Sequence, residues 1–156
     1  MWAMINYPPL QDRASYLLMR FAIQCRDMEA KIRHYGTDVP IHEAEIHMIK
    51  AVKQTGLTHV SGLAKRLGVT KGAVSQIIMK LHKKGLVTKG TAADNQSKLN
   101  VSLTPKGEAA YARHEELHRQ FDDMTEEELA RYPEEFRNAV KTFLKDMLNR
   151  MDTWSE

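Results

Sequence analysis

The sequence predicts a mainly α-helical fold that contains one small β-hairpin. Apolar residues recur at helical spacing over most of the 156 residues, and strand-like patterning appears only near residues 86–103. Hydrophobic residues make up 42% of the chain, which is enough to form a core without disulfides. We therefore expect a helical protein whose chain is interrupted once by a two-stranded element.

The helices before the hairpin are predicted from apolar spacing and from the residues that flank each helix. We expect four of them, over residues 10–34, 42–54, 60–67 and 71–84. Gly36, Gly68 and Gly85 lie where three of these helices end, and a glycine readily adopts the left-handed conformation found after a helix. Thr70 is a good N-cap for the fourth helix.

The second half of the chain begins with the hairpin and returns to helix. Residues 86–89 and 99–103 are predicted strands, and the polar stretch 90–98 is the predicted tip. Thr104 and Pro105 favour a helix start, and this helix is expected to reach about Met124. A short acidic helical turn and Pro133 precede a last helix over residues 134–152.

A short helix, a glycine turn and a second helix, followed by a hairpin, make up the layout of a winged helix–turn–helix. In helix–turn–helix units the second helix enters the major groove of DNA. Side chains that can contact phosphates or base edges are predicted on its outer side and on the helix before it. The candidates in this part of the chain are Lys65, Thr70, Lys71, Gly72, Ser75, Gln76 and Lys80. A structural protein–protein adaptor is the alternative use of the same layout.

The segment GLAKRLGVTKGAVSQIIMKLHKKGLV at 62–87, followed by SLTPKGEAA, resembles the MarR family of winged-helix regulators. The resemblance covers essentially the whole chain and implies a single MarR-like chain over 1–156. It also implies a DNA-binding domain at 41–104 and dimerisation helices at 1–36 and 105–156. The family's wing usually carries arginines, whereas residues 90–98 contain none, and Lys98 is the candidate replacement.

A homodimer is also expected from the residues themselves. The first and last helices carry wide apolar stripes, and a two-fold assembly is the usual way to bury such faces. The resemblance implies a regulator, in this case a repressor of a double-stranded DNA operator, whose affinity for DNA changes with a small effector.

Two histidines one helical turn apart suggest what that effector is. His114 and His118 lie on one face and match the HExxH pattern of zinc proteases. No histidine follows His118 to supply a third protease ligand, so a metalloprotease is not expected. A metal-sensing site is the better use of the pair, with Glu29 and His47 as candidates for the remaining ligands.

This set of residues is similar to the zinc-uptake repressor branch of the MarR family. The similarity implies that Glu29, His47, His114 and His118 bind regulatory Zn²⁺. The second site of that branch uses a cysteine and acidic residues. The corresponding positions are Tyr35, Ile46 and Arg113, so this second site is expected to be missing here.

Two other signals stay open at this stage, namely oxidation of Cys25 and a phenolic ligand. Cys25 lies in the apolar stripe of the first helix, which favours an inert buried thiol. A single cysteine, no apolar run of membrane-spanning length and no secretory signal pattern predict a cytoplasmic protein. The sequence shows no catalytic arrangement, so an enzyme is not expected. The net charge is only +3, so DNA binding must depend on where the positive charges lie.

Overall fold

The structure is a computed structural model that describes residues 9–55, 59–92 and 95–154, and the side chains of these ranges apart from 91–100. A short 3₁₀ turn, Leu10–Asp12, precedes the first helix. The elements are α1 (Ala14–Glu29), α2 (Glu43–Thr55), α3 (Val60–Leu67), α4 (Lys71–Lys83), β1 (Val87–Ala92), β2 (Asn95–Leu103), α5 (Pro105–Leu129) and α6 (Glu134–Trp154).

The predicted mainly helical fold with one hairpin is confirmed. The α3 helix has the predicted bounds, and α2 and α4 agree with theirs to within one residue. The Thr70 side chain accepts a hydrogen bond from the Ala73 N–H at 3.2 Å, as expected of an N-cap. None of the described helices is long and apolar enough to cross a membrane.

The first helix is shorter than predicted. The sequence suggested a helix over residues 10–34, whereas α1 ends at Glu29. Residues 33 and 41 form an isolated antiparallel bridge, in which each backbone N–H donates to the other residue's carbonyl oxygen. Tyr35 and Gly36 both adopt positive φ values, 47° and 74°, at the turn within this bridge. These hydrogen bonds compete with a helical continuation through Ile32.

The hairpin and α5 are longer than predicted. The antiparallel ladder runs from Val87↔Leu103 to Ala92↔Asn95, so it extends into the stretch predicted as the tip, with a register shift between Thr91 and Ala92. The α5 helix continues through the predicted stop at Met124 to Leu129, because the acidic turn expected there is part of the same helix.

The chain forms two compact units, the first ending at Arg113 and the second beginning at His114. In the first unit α2 contacts α3, α4 and β2, and these elements surround an apolar core. Its fully buried side chains include Ile46, Met48, Ile49, Leu63, Val74, Ile78, Leu81, Leu86, Val87 and Val101. The base of the hairpin is therefore anchored in the same core as α4.

The second unit contains the rest of α5 and the whole of α6. The Tyr132 and Phe136 rings stack at 4.7 Å between centroids where the two helices join. The Lys141 ammonium lies 3.3 Å from a Glu126 carboxylate oxygen. Much of the apolar stripe of α6 is exposed, including Phe143, Leu144, Leu148 and Met151.

Candidate DNA-binding surface and metal ligands

The helix–turn–helix is formed by α3, a glycine turn and α4. Gly68 ends α3 in the left-handed conformation, with φ of 65°, and its N–H donates to the Ala64 carbonyl. Leu63, Val74 and Ile78 are fully buried, so they fix the two helices against the core. This packing leaves the opposite side of α4 at the surface.

The residues predicted to contact DNA in this region lie at or near the protein surface. Lys65, Thr70, Lys71, Gly72, Gln76 and Lys80 are exposed, and Ser75 is half-buried. Lys71 is the first residue of α4, so its ammonium lies at the N-terminal end of that helix. A Cβ at Gly72 would meet only Thr70 Oγ1, at 3.9 Å, which leaves room for another molecule to approach the backbone.

Lys84 has a structural role that the sequence did not suggest. Its neighbour Lys83 is exposed, as is Lys80. The Lys84 ammonium, by contrast, donates to both carboxylate oxygens of Glu45, at 2.6 and 2.8 Å, and to the Pro40 carbonyl. Glu45 is only 3% exposed, and its carboxylate also accepts from the His42 N–H at the start of α2. Lys84 therefore links α2 to the end of α4.

Sequence reasoning did not identify Glu45, although a signal was present. A glutamate three residues after a helix N-cap commonly reaches back to the N-cap backbone. The preceding N-cap residue here is histidine rather than serine or threonine, so the usual pattern is incomplete. The predicted wing contact, Lys98, belongs to β2, and its side chain lies outside the described residues.

The candidate metal ligands occur as two pairs. In the first unit, the Glu29 carboxylate lies 3.7 Å from His47 Nε2, at the end of α1 and within α2. In the second unit, Nε2 of His114 and Nε2 of His118 lie 3.2 Å apart on α5, as their spacing of four residues predicts. The His114 side chain is buried, at 2% exposure.

Two of the positions that correspond to the second site of the zinc branch are apolar or aromatic and buried. Ile46 is 1% exposed and Tyr35 is 5% exposed. Burial raises the pKa of the Tyr35 hydroxyl above its usual value of 10.0, and a hydrogen bond from the Arg33 side chain opposes this shift. Tyr35 therefore stays protonated at neutral pH.

The fold and the exposed basic face of α4 define a winged helix–turn–helix protein of the DNA-binding class. Residues 44–96 match the model of the MarR family. The HTH-type transcriptional regulator PchR of Bacillus subtilis (strain 168) is 25% identical over 115 residues, which cover 74% of this chain and 68% of that protein. This match and the similarity to PchR relate the chain to the MarR family of DNA-binding transcriptional regulators.

Two solved structures share the fold over almost their whole length. The zinc-responsive MarR family member ZitR of Lactococcus lactis has a TM-score of 0.72 at 15% identity, covering 92% of this chain and 99% of that one. The zinc-dependent MarR family regulator AdcR in its Zn(II)-bound state has a TM-score of 0.71 at 18% identity, with 93% and 99% covered.

Proposed function

We propose that this protein is a cytoplasmic, homodimeric repressor whose affinity for its DNA operator is raised by zinc. The observation that carries the zinc assignment is the 3.2 Å separation of the His114 and His118 Nε2 atoms. Two nitrogens bound to one tetrahedral zinc at 2.0–2.1 Å lie about 3.3 Å apart. The two imidazoles thus have the spacing of two zinc ligands.

Glu29 and His47 are the ligands proposed to complete the site. Glu29, His47 and His114 each offer one carboxylate oxygen or imidazole nitrogen, and His118 offers the fourth donor atom. The Glu29 carboxylate oxygen and His47 Nε2 lie 3.7 Å apart, which is close to the distance between two ligand atoms of one zinc. A bound ion would supply the charge that holds all four donors in one arrangement. The shared fold with the zinc-responsive ZitR and the zinc-dependent AdcR supports the same assignment.

The DNA contacts are proposed to divide by chemistry. Lys65, Lys71 and Lys80 would neutralise phosphates, which positions the protein without specifying sequence. Ser75 and Gln76 would donate to and accept from base edges, and Gly72 would let the backbone approach the groove. Thr70, the N-cap of α4, would orient the first turn of that helix toward the DNA. Lys98 of the wing would contact the DNA backbone or the minor groove.

The domain organisation follows from the same proposal. Residues 41–104 would form the DNA-binding domain of a single chain over 1–156, and residues 1–36 and 105–156 would form the dimer. Zinc bound by residues of α1, α2 and α5 would tie the dimerisation helices to the DNA-binding domain and favour a separation of the two recognition helices near one turn of DNA, about 34 Å. A coupling free energy of about 1–3 kcal/mol would give 5- to 150-fold regulation.

The test is operator binding by chelator-stripped protein with and without zinc. An operator is selected from a random duplex library, and its affinity is measured by fluorescence anisotropy. Zinc should raise the affinity of the wild type at least fivefold and leave His118→Ala unchanged. His34→Ala, which removes an exposed histidine outside the proposed ligand set, is the matched control and should respond as the wild type does.

Each rival function gives a different result in this assay. A His118→Ala protein that still responds to zinc contradicts the ligand assignment. A wild type that binds the operator but ignores zinc points to a phenolic ligand or to oxidation of Cys25. A DNA reader loses affinity steeply as salt rises, whereas a protein–protein adaptor would bind no duplex at any salt concentration.

A further inference from the structure

One large apolar side chain lies on the outer surface of the recognition helix. The buried face of α4 consists of Val74, Ile78 and Leu81, all of them fully buried. Met79 is 50% exposed, and it is the large apolar residue that α4 leaves at the surface. It was not among the side chains that the sequence suggested for DNA contact.

The position of Met79 relates it to the candidate base-reading residues. It lies three residues after Gln76 and four after Ser75, so all three share one side of the helix. It also lies seven residues after Gly72, two turns along the same stripe. Lys80 and Lys83 next to it are exposed cations, so the apolar side chain is set within a polar and basic surface.

A methionine in this place has an apolar partner available in the major groove. Each base pair presents donors and acceptors there, and thymine alone among the unmodified bases adds a methyl group. The methionine side chain is flexible and polarisable, so it adapts to such a group without a fixed geometry. An exposed methionine by itself would need no explanation, but here it shares the face of Ser75 and Gln76.

We propose that Met79 is a specificity residue that contacts the 5-methyl group of a thymine in the operator. The inference depends on the proposed function, because it requires α4 to read the major groove. It adds that the operator contains a thymine opposite the middle of the recognition helix. The expected contribution is that of burying one methyl group, about fourfold in affinity for each copy of the half-site.

The experiment replaces thymine by deoxyuridine, which removes only the methyl group. The probe is the duplex selected from the random library, with its thymines exchanged one at a time, at fixed salt and with zinc present. The wild type should lose about fourfold in affinity at one thymine of each half-site. Met79→Ala should bind the thymine duplex more weakly and lose nothing further on the exchange.

Two variants keep the result specific to this side chain. Met79→Leu retains an apolar group and should keep most of the thymine preference. Met124→Ala removes a methionine of similar exposure, 57%, from α5 and should keep all of it. Because Met79 is exposed, its replacement is not expected to prevent folding.

The inference is overturned if the wild type is indifferent to every exchange, if the selected duplex contains no recurring thymine, or if Met79→Ala loses as much as the wild type. Failure of the proposed function looks different, since no duplex would then be enriched by selection. If Gln76→Ala keeps full affinity for the selected duplex and the same sequence preference, α4 does not contact the base edges as proposed.

Discussion

Gly107 lies where the start of α5 passes closest to the chain leading into the hairpin. A Cβ at this position would come closer to the Leu86 carbonyl oxygen than the 3.0 Å that real Cβ atoms keep. The Thr104 N–H donates to the same carbonyl oxygen at 3.1 Å, and the Thr104 hydroxyl donates to the Gly85 carbonyl at 2.6 Å. The LTPKG segment at 103–107 thus joins α5 to the wing at a distance that only glycine permits.

At the residue scale, Gly107→Ala is expected to destabilise the protein by about 3 kcal/mol, because the added methyl group meets backbone that cannot move freely. Gly72→Ala is the matched control, since the space around Gly72 is open. It should stabilise α4 by about 0.5 kcal/mol while weakening operator binding. Urea unfolding measures both changes, and a Gly107→Ala protein as stable as the wild type would refute the packing argument.

At the scale of elements, the contact between α2 and the end of α4 depends on a buried ion pair. Glu45 and Lys84 have side-chain exposures of 4% and 22%. Lys106 of α5 adds a second connection, because its ammonium donates to the Lys84 carbonyl and pairs with Asp38 at 2.5 Å. These cations therefore hold the segment before α2 against the end of the recognition helix and the start of α5.

Removing one member of this ion pair should cost far more than removing both. Lys84→Met leaves the Glu45 carboxylate buried without its cation, and we expect a loss of about 3–5 kcal/mol. The double variant Glu45→Gln, Lys84→Met should recover much of that loss. Lys83→Met, at an exposed neighbouring position, should change stability by less than about 0.5 kcal/mol. Equal unfolding midpoints for the Lys84 and Lys83 variants would show that the pair does not stabilise the fold.

At the scale of the whole molecule, the terminal helices carry large apolar side chains that the described part of the chain leaves exposed. Neither α1 nor α6 contains a buried residue, and Leu17, Phe21, Phe143 and Leu148 are between 46% and 64% exposed. Exposed apolar surface on this scale marks an interaction site. It supports the proposed homodimer, in which a second copy of the chain would cover these stripes.

A charge within the α6 stripe should therefore dissociate the proposed dimer. Leu148→Asp is expected to be monomeric in sedimentation experiments, because a buried carboxylate without a partner is strongly unfavourable. The monomer should bind the operator much more weakly. Asn149→Asp places the same charge on the adjacent exposed residue and should stay dimeric. A dimeric Leu148→Asp protein with full operator affinity would place the interface elsewhere.

Several features of this protein were determined by the sequence alone, because they depend on neighbours along the chain. The helix–turn–helix follows from apolar spacing, the Gly68 turn and the Thr70 cap, all of which act within a few residues. The spacing of His114 and His118 is likewise local, because four residues on a helix bring two side chains to one face. Fold class, the DNA-binding module and the histidine pair could therefore be predicted.

Tertiary structure decided the features that depend on residues far apart in sequence. The bridge between residues 33 and 41 ends α1 early, and Glu45 takes Lys84 away from the DNA surface. Local spacing identifies neither the bridge nor the pairing of Glu45 with Lys84, because each contact forms only after the intervening chain has folded. The same holds for the meeting of Glu29 with His47 across two helices and for the exposure of Met79. Local hydrogen bonds and apolar periodicity thus set the elements, whereas packing determined which side chains remain available for function.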